Sequence, residues 1–410
     1  MVSGEWQGKE SRKTRLPHSI NHQPSTIHHL PQPPTRPGNG HLQDWALQPL
    51  PLIEDGARRA RAAGTDLFRL RLGIPSVVGF SPAWNRRLLS DLDTFRSAGG
   101  FSAVVPYLAG GVILTDAPLH RRRRQTINPG FGKKHLATLR GRTQAALPPI
   151  PDGEFDALEW ADGAVLRLLN AAYFGGEFNP ALLHAFLAPL RRPFPVPALP
   201  RPLLFLRVDA ELRRLATRRL TGGGDDLLAV LAPIPGGLEE TRVSLAAAHD
   251  TTTHALAYAV WHLANHPGWH APEHHGAVLK ETLRLHPPGW MGSRRLSREL
   301  DWNGVRLPRG TLALYAPYLS ARDPDVWDAP ETFRPGRWEA RPPAWAYLPF
   351  GGGERLCLGM HLAQMLILDA LAALPPLTAV RGDDTPVPGI TLGPRGPLVV
   401  RRAARAGSSG

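Results

Sequence analysis

Apolar residues recur at helical spacing along most of the chain, in runs punctuated by proline and glycine. "SPAWNRRLLSDLDTF" offers Ser81 as an N-cap and Pro82 at the first helical position, which predicts a helix. "PALLHAFLAPLRR" from Pro180 and "VDAELRRLATRRL" from Val208 are amphipathic and flank an apolar, proline-rich stretch, "PFPVPALPRPLLFL". "TRVSLAAAHDTTTHALAYAVWHLANHP" is apolar almost all round until Pro267 stops it, the pattern of a helix buried on every side. Alternating positions are few. "LDWNGVRLPRGTLALY" reads as a hairpin turning at Asn303-Gly304, followed by a strand to Tyr315. The pattern predicts a mainly α fold with a minor antiparallel β-sheet.

The ends differ from this body. Residues 1–44 have no apolar period and cluster His and Pro ("HHLPQPPTRPGNGH"), which predicts a flexible arm. Residues 406–410 read as a loose tail. With 410 residues, 42% apolar and 20% charged, the chain is globular, and length alone suggests about two domains. The single cysteine excludes a disulfide scaffold and suits a reducing compartment. A net charge of +13, carried mainly by arginine, favours an acidic partner. No helix-turn-helix, zinc-finger or aromatic-strand signature points to nucleic acid. No run approaches the roughly 18 apolar residues of a membrane span. The first twenty residues lack the apolar core of a signal peptide. A cytoplasmic protein without a transmembrane anchor is expected.

The lone cysteine lies in "FGGGERLCLG". Gly351, Gly352 and Gly353 permit a tight turn and a close approach to a flat ligand. Cys357 precedes an apolar helix, whose unpaired N–H groups and dipole would favour a thiolate, and Arg355 adds positive charge. Gly359 leaves room beside a planar group. These features describe an iron-ligating thiolate. Phe350, Gly353, Arg355, Cys357 and Gly359 fit the F-x-x-G-x-R-x-C-x-G haem signature, and the chain resembles the cytochrome P-450 family in its soluble bacterial form. The resemblance implies one domain over residues 45–405 in place of two, and haem b (iron protoporphyrin IX) as cofactor. It also implies Cys357 as axial ligand, Arg355 on a propionate and Phe350 beside the ligand loop.

Further segments carry the same resemblance. "KETLRLHPP" puts Glu281 and Arg284 on one helix face, and "FRPGRW" supplies Arg337. The implied network Glu281–Arg284–Arg337 is structural. "AAHDTT" sets an acid and three threonines inside an apolar helix, an unfavourable choice for burial and propensity alike. It resembles the family's A-G-x-D-T element. This implies Asp250 and Thr251 as the acid–alcohol pair that delivers protons during oxygen activation, while Ala248 replaces the usual glycine. "TDAPLHRRRRQTINPGF" resembles D-x-P-x-H-x-x-x-R, implying that His120 and Arg124, one turn apart, face haem propionates. Arg294 matches a further propionate ligand, with Arg295 as the alternative. Seven histidines lie between His249 and His275, but Pro267 breaks the helix that would align His262, His266 and His270, so no metal site is expected there.

The resemblance implies haem-thiolate monooxygenation of a hydrophobic small molecule such as a fatty acid, terpenoid or polyketide. Ala247, Ala248, Thr251, Trp290, Met291 and "GGFSAVVPYLAGG" are the expected pocket walls, with "PVPALPRPLLFL" as a roof. Electrons would come from a separate ferredoxin or flavodoxin docked on a basic face around His120–Arg124, Lys133 and Lys134. A monomer is expected. Two alternatives stand beside this reading. One is a peroxide-driven peroxygenase, against which Asp250 and Thr251 argue; the other is a haem sensor or electron-transfer protein.

Overall fold

A computed structural model describes residues 25–98, 105–192 and 196–403. Its axis is the helix Gly237–Asn265, which Pro267 ends two residues on. Its apolar residues face neighbours on almost every side, notably the helix Ala157–Phe174, which Asp156 caps by accepting from Leu158 N. Around this pair pack the helices Lys133–Ala145, Pro202–Gly222, His275–Leu285 and Met360–Ala372. Ser81 caps the helix Pro82–Ser90 by accepting from Trp84 N, with Pro82 at the first position.

A five-stranded sheet lies to one side, in the order Leu67–Arg71, Pro75–Gly79, Leu312–Tyr315, Gly292–Leu296, Phe95–Arg96. All pairings are antiparallel except that of Pro75–Gly79 with Leu312–Tyr315. Phe68, Leu70, Val78, Leu312 and Leu314 feed one apolar cluster, while Leu67, Val77 and Ala313 feed another. That is the period of two expected of side chains that alternate across a sheet. The hairpin Leu300–Trp302/Val305–Leu307 turns at Asn303 (φ 51°) and Gly304 (φ 80°), the positive-φ pair a tight hairpin requires. Among the described residues no helix is long and apolar enough to cross a membrane.

The flexible arm expected over residues 1–44 needs correction from residue 25 onward; residues 1–24 and 404–410 lie outside the described residues. Ser25–Thr26 pairs in parallel with the strand Val305–Leu307. Ile27 and Leu30 are buried. His41 is fully buried, its Nδ1 accepting from Arg71 N at 2.8 Å while its Nε2 meets Pro33 O at 3.0 Å. Two apolar anchors and borrowed backbone hydrogen bonds order this stretch without any periodic pattern, so composition alone misjudges it.

Candidate functional site

The glycine loop is shaped by its surroundings. Gly353 has φ 60°, and a Cβ there would lie 2.6 Å from Leu89 O. A Cβ at Gly352 would meet the Trp345 ring at 2.6 Å. Cys357 N donates to Phe350 O at 2.9 Å, which closes the loop. The helix beyond starts at Met360, with Gly359 as its N-cap.

Cys357 opens into a cavity of about 380 Å³. The long helix forms one wall. Between Val243 and Ala264 only Ser244, Ala247, Ala248 and Thr251 escape burial, a stripe at i, i+3, i+4, i+7 that lines the cavity. His120, Arg124, Arg294, Arg355, Phe350, Gly359 and Met291 line it as well. Of the two arginine candidates on the Gly292–Leu296 strand, Arg294 lines the cavity and Arg295 is exposed, as strand alternation demands.

The cations share a void and form no ion pair among the described residues. Arg355 donates to Thr115 O, Ile113 O and Ser97 Oγ at 2.6–2.7 Å. Arg124 donates to Leu356 O and Asn128 Oδ1, both at 2.8 Å. Arg294 Nε is buried without a hydrogen-bond partner among the described residues, as is His120 Nδ1. None of the three arginines has an ion pair among them, whereas neighbouring Arg121 is held bidentately by Glu354 at 2.7 Å. Burial, then the Arg294 charge, bring the Arg355 guanidinium down to about 10. Burial, then Arg355 and Arg124, bring His120 down to about 4. The only acid in the described lining is Glu240; burial raises its pKa, and it accepts from Val112 N at 2.7 Å.

This set fits a haem. A sole thiol faces the cavity, a Cβ on Gly359 would project into open space, and three arginines with an orphaned imidazole nitrogen offer donors to anionic groups. One expectation is corrected: the protein alone does not favour the thiolate. Burial pushes the Cys357 thiol up and outweighs the Gly359 and Met360 N–H groups at the helix start and the Arg124 charge, which favour the thiolate. A bound cation is what would hold it deprotonated.

One expected lining residue, Trp290, and the expected acid, Asp250, lie outside the cavity lining. Trp290, expected in the pocket, is buried beside Trp45, and its Nε1 donates to Gly389 O at 3.2 Å. Asp250 is buried but outside the lining, about 100° round the helix from Thr251. Its Oδ2 accepts from Thr391 Oγ1, and its Oδ1 lies 3.7 Å from Arg191 Nε and 3.9 Å from His254 Nε2. Thr251 Oγ1 donates back to Ala247 O at 2.8 Å. Arg191, His254 and Thr391 were not singled out from sequence. Only His254, four residues after Asp250, left a local signal. Of the expected pocket segment "GGFSAVVPYLAGG", Gly99–Val104 lie outside the described residues.

Behind the loop, Glu281 accepts from Arg284 at 2.9 and 3.0 Å, from Arg337 Nε at 2.9 Å and from Trp338 Nε1 at 3.0 Å. Arg284 also donates to Ala321 O and Pro330 O. The Trp338 ring packs 4.5 Å from that of Tyr347, at the start of the cysteine segment. Among the described residues no cluster of histidines, cysteine or acids could hold a metal ion by itself.

Comparison with known proteins agrees with this geometry. The family model described as Cytochrome P-450 matches residues 276–374. Cyclooctat-9-en-7-ol 5-monooxygenase of Streptomyces melanosporofaciens is 27% identical over 429 residues, which cover 87% of this chain and 91% of that one. A six-coordinated cytochrome P-450 from Thermus thermophilus is 26% identical with a TM-score of 0.69, over 84% of this chain and 96% of that one. Retinoic-acid-bound cyanobacterial CYP120A1, 22% identical, shares the fold at a TM-score of 0.73 over 91% of this chain and 99% of that one. Fold, cysteine loop and relatives agree: the chain belongs to the cytochrome P-450 family of oxidoreductases, whose cofactor is haem iron.

Proposed function

We propose that the protein is a haem-b monooxygenase that inserts one oxygen atom of O2 into a hydrophobic small molecule, with electrons from a separate ferredoxin or flavodoxin. The main support is one juxtaposition: the sole cysteine, three arginines without an ion pair among the described residues and the Ala247–Ala248–Thr251 stripe line the same cavity. Thiolate-ligated haem iron, when bound, supplies dioxygen activation and O–O cleavage.

The chain's own residues do the rest. Cys357 would ligate the iron, and Arg124, Arg294, Arg355 and His120 would bind the propionates by charge-assisted hydrogen bonds. Thr251 has its hydroxyl proton engaged with Ala247 O, so the oxygen's lone pairs are what it presents to the cavity. Asp250 would pass protons inward through water. Ala248 adds a methyl group where the family usually has none. Apolar Val112, Val243, Leu169 and Met291 exclude water and would seat an apolar substrate. That a relative is named for a 5-monooxygenase acting on cyclooctat-9-en-7-ol makes oxygenated terpenoids a natural first class to screen. Lys133 and Lys134, both exposed, and Arg122 would meet an acidic electron donor.

The test is the carbon-monoxide difference spectrum of the reduced protein beside Cys357→Ala. A thiolate-type red-shifted band absent from the variant is the expected result; an identical band in both would refute the ligand. Titrating hydrophobic compounds for a spin-state change then separates a monooxygenase from a haem sensor.

A further inference from the structure

Asp250 is held from outside the cavity by elements far away in the chain. The C-terminal hairpin Pro386–Pro388/Leu392–Pro394 carries Thr391 at its tip. Thr391 Oγ1 donates to Asp250 Oδ2 and lies 2.9 Å from His254 Nδ1. A hydroxyl has one proton. Since Thr391 spends it on Asp250, the contact with His254 needs the imidazole to donate, which puts its proton on Nδ1. Burial keeps this ring neutral, so Nε2 is bare. The ring fills the space that Gly393 leaves open: a Cβ there would stand 2.6 Å from it.

The same hairpin tip is fastened to the cavity wall. Leu392 N donates to Pro288 O at 3.0 Å, and Trp290 Nε1 donates to Gly389 O at 3.2 Å. Pro288, Gly289 and Met291 line the cavity. Hydrogen bonds thus link that wall to Asp250 through the hairpin tip and Thr391, while Asp250 Oδ1 keeps no hydrogen-bond partner among the described residues.

We infer that Thr391 and His254 are positioning residues for Asp250. The directed chain His254 Nδ1–H to Thr391 Oγ1–H to Asp250 Oδ2 holds the carboxylate with Oδ1 not hydrogen-bonded, 3.7 Å from Arg191 Nε and 3.9 Å from His254 Nε2. There Oδ1 can take an incoming proton or water, and the chain ties the carboxylate to the Pro288–Met291 wall. This rests on the reading of Asp250 as the proton-delivering acid.

The experiment uses holoprotein labelled with 15N-histidine, in the diamagnetic reduced carbon-monoxide form, with the His254 signals assigned by their loss in His254→Gln. Expected are a protonated Nδ1 in the wild type, loss of that tautomer in Thr391→Val and its retention in Thr391→Ser. Gly393→Ala, which crowds the ring from its other side, gives a second route should Thr391→Val not fold. With a surrogate ferredoxin, Thr391→Val should release several-fold more peroxide per electron pair and show a larger solvent deuterium effect, and Thr391→Ser should not. A bare Nδ1 in the wild type, an unchanged tautomer in Thr391→Val and Gly393→Ala, or unchanged peroxide release would each overturn the inference. If Asp250→Asn leaves the isotope effect unchanged while the tautomer still flips in Thr391→Val, the reading of Asp250 as the acid fails and the chain itself stands.

Discussion

Two arginine-rich regions lie on either side of the cysteine segment, and their hydrogen bonding differs. Behind it, Arg284 and Arg337 share the carboxylate of Glu281, and Arg284 spends its remaining donors on carbonyls. In front, Arg124, Arg294 and Arg355 face one cavity without an ion pair among the described residues, and Arg294 Nε has no hydrogen-bond partner there. Like charges gathered round a void repel one another and are desolvated; they persist when something anionic shares the space. A network with its charges paired stiffens a scaffold, and buried cations without a counter-charge point to an anionic ligand.

Breaking the satisfied side should have the largest effect. Glu281→Ala strands two buried guanidiniums, and loss of one partner of such a network costs about 3–5 kcal/mol. Urea unfolding should show that loss together with failure to retain haem; a stable, haem-loaded variant would contradict the structural role. On the cavity side, Arg355→Leu should leave the fold intact and weaken haem retention instead. A charge-assisted hydrogen bond is worth about 1.5–3 kcal/mol, so transfer of haem to apomyoglobin should be roughly tenfold or more faster.

A third test lies beside the satisfied network. His262 and His286 are buried near Arg284, with the His262 ring stacked 4.1 Å from Phe333. Burial holds His262 at about 3 and His286 well below its ordinary value. Because the unfolded chain takes up protons there first, stability is full above about pH 6.5 and falls as pH drops toward 3. The slope is at most about 1.4 kcal/mol per pH unit for each group. Denaturant unfolding between pH 7 and 4 should show this, and His262→Phe should flatten it. The smallest effect is at the surface. Reversing Lys133 and Lys134 to glutamate should slow reduction by a ferredoxin a few-fold at low salt and weaken its salt dependence. Identical rates at every ionic strength would remove that docking face.

How much was legible followed from how local each signal was. The cysteine loop could be read because its glycine turn, its arginine and its cysteine lie within ten residues, although Leu89, which crowds Gly353, comes from far away in the chain. Glu281 and Arg284 were legible as one helix face. Trp290 was misassigned because an apolar side chain in a loop does not announce which of two apolar clusters it joins. Residues 25–44 were misjudged because backbone pairing with a remote strand leaves no periodicity.

The sequence by itself determined the long apolar helix, the glycine-shaped loop round Cys357 and the residue types for haem and proton chemistry, since these depend on local spacing and backbone freedom. Only the tertiary structure decided that Arg294 and not Arg295 meets the cavity, that Asp250 lies outside its lining, and that Thr391, 141 residues later, hydrogen-bonds that carboxylate. Side-chain direction is set by which elements pack together, and long-range packing leaves no mark in local order.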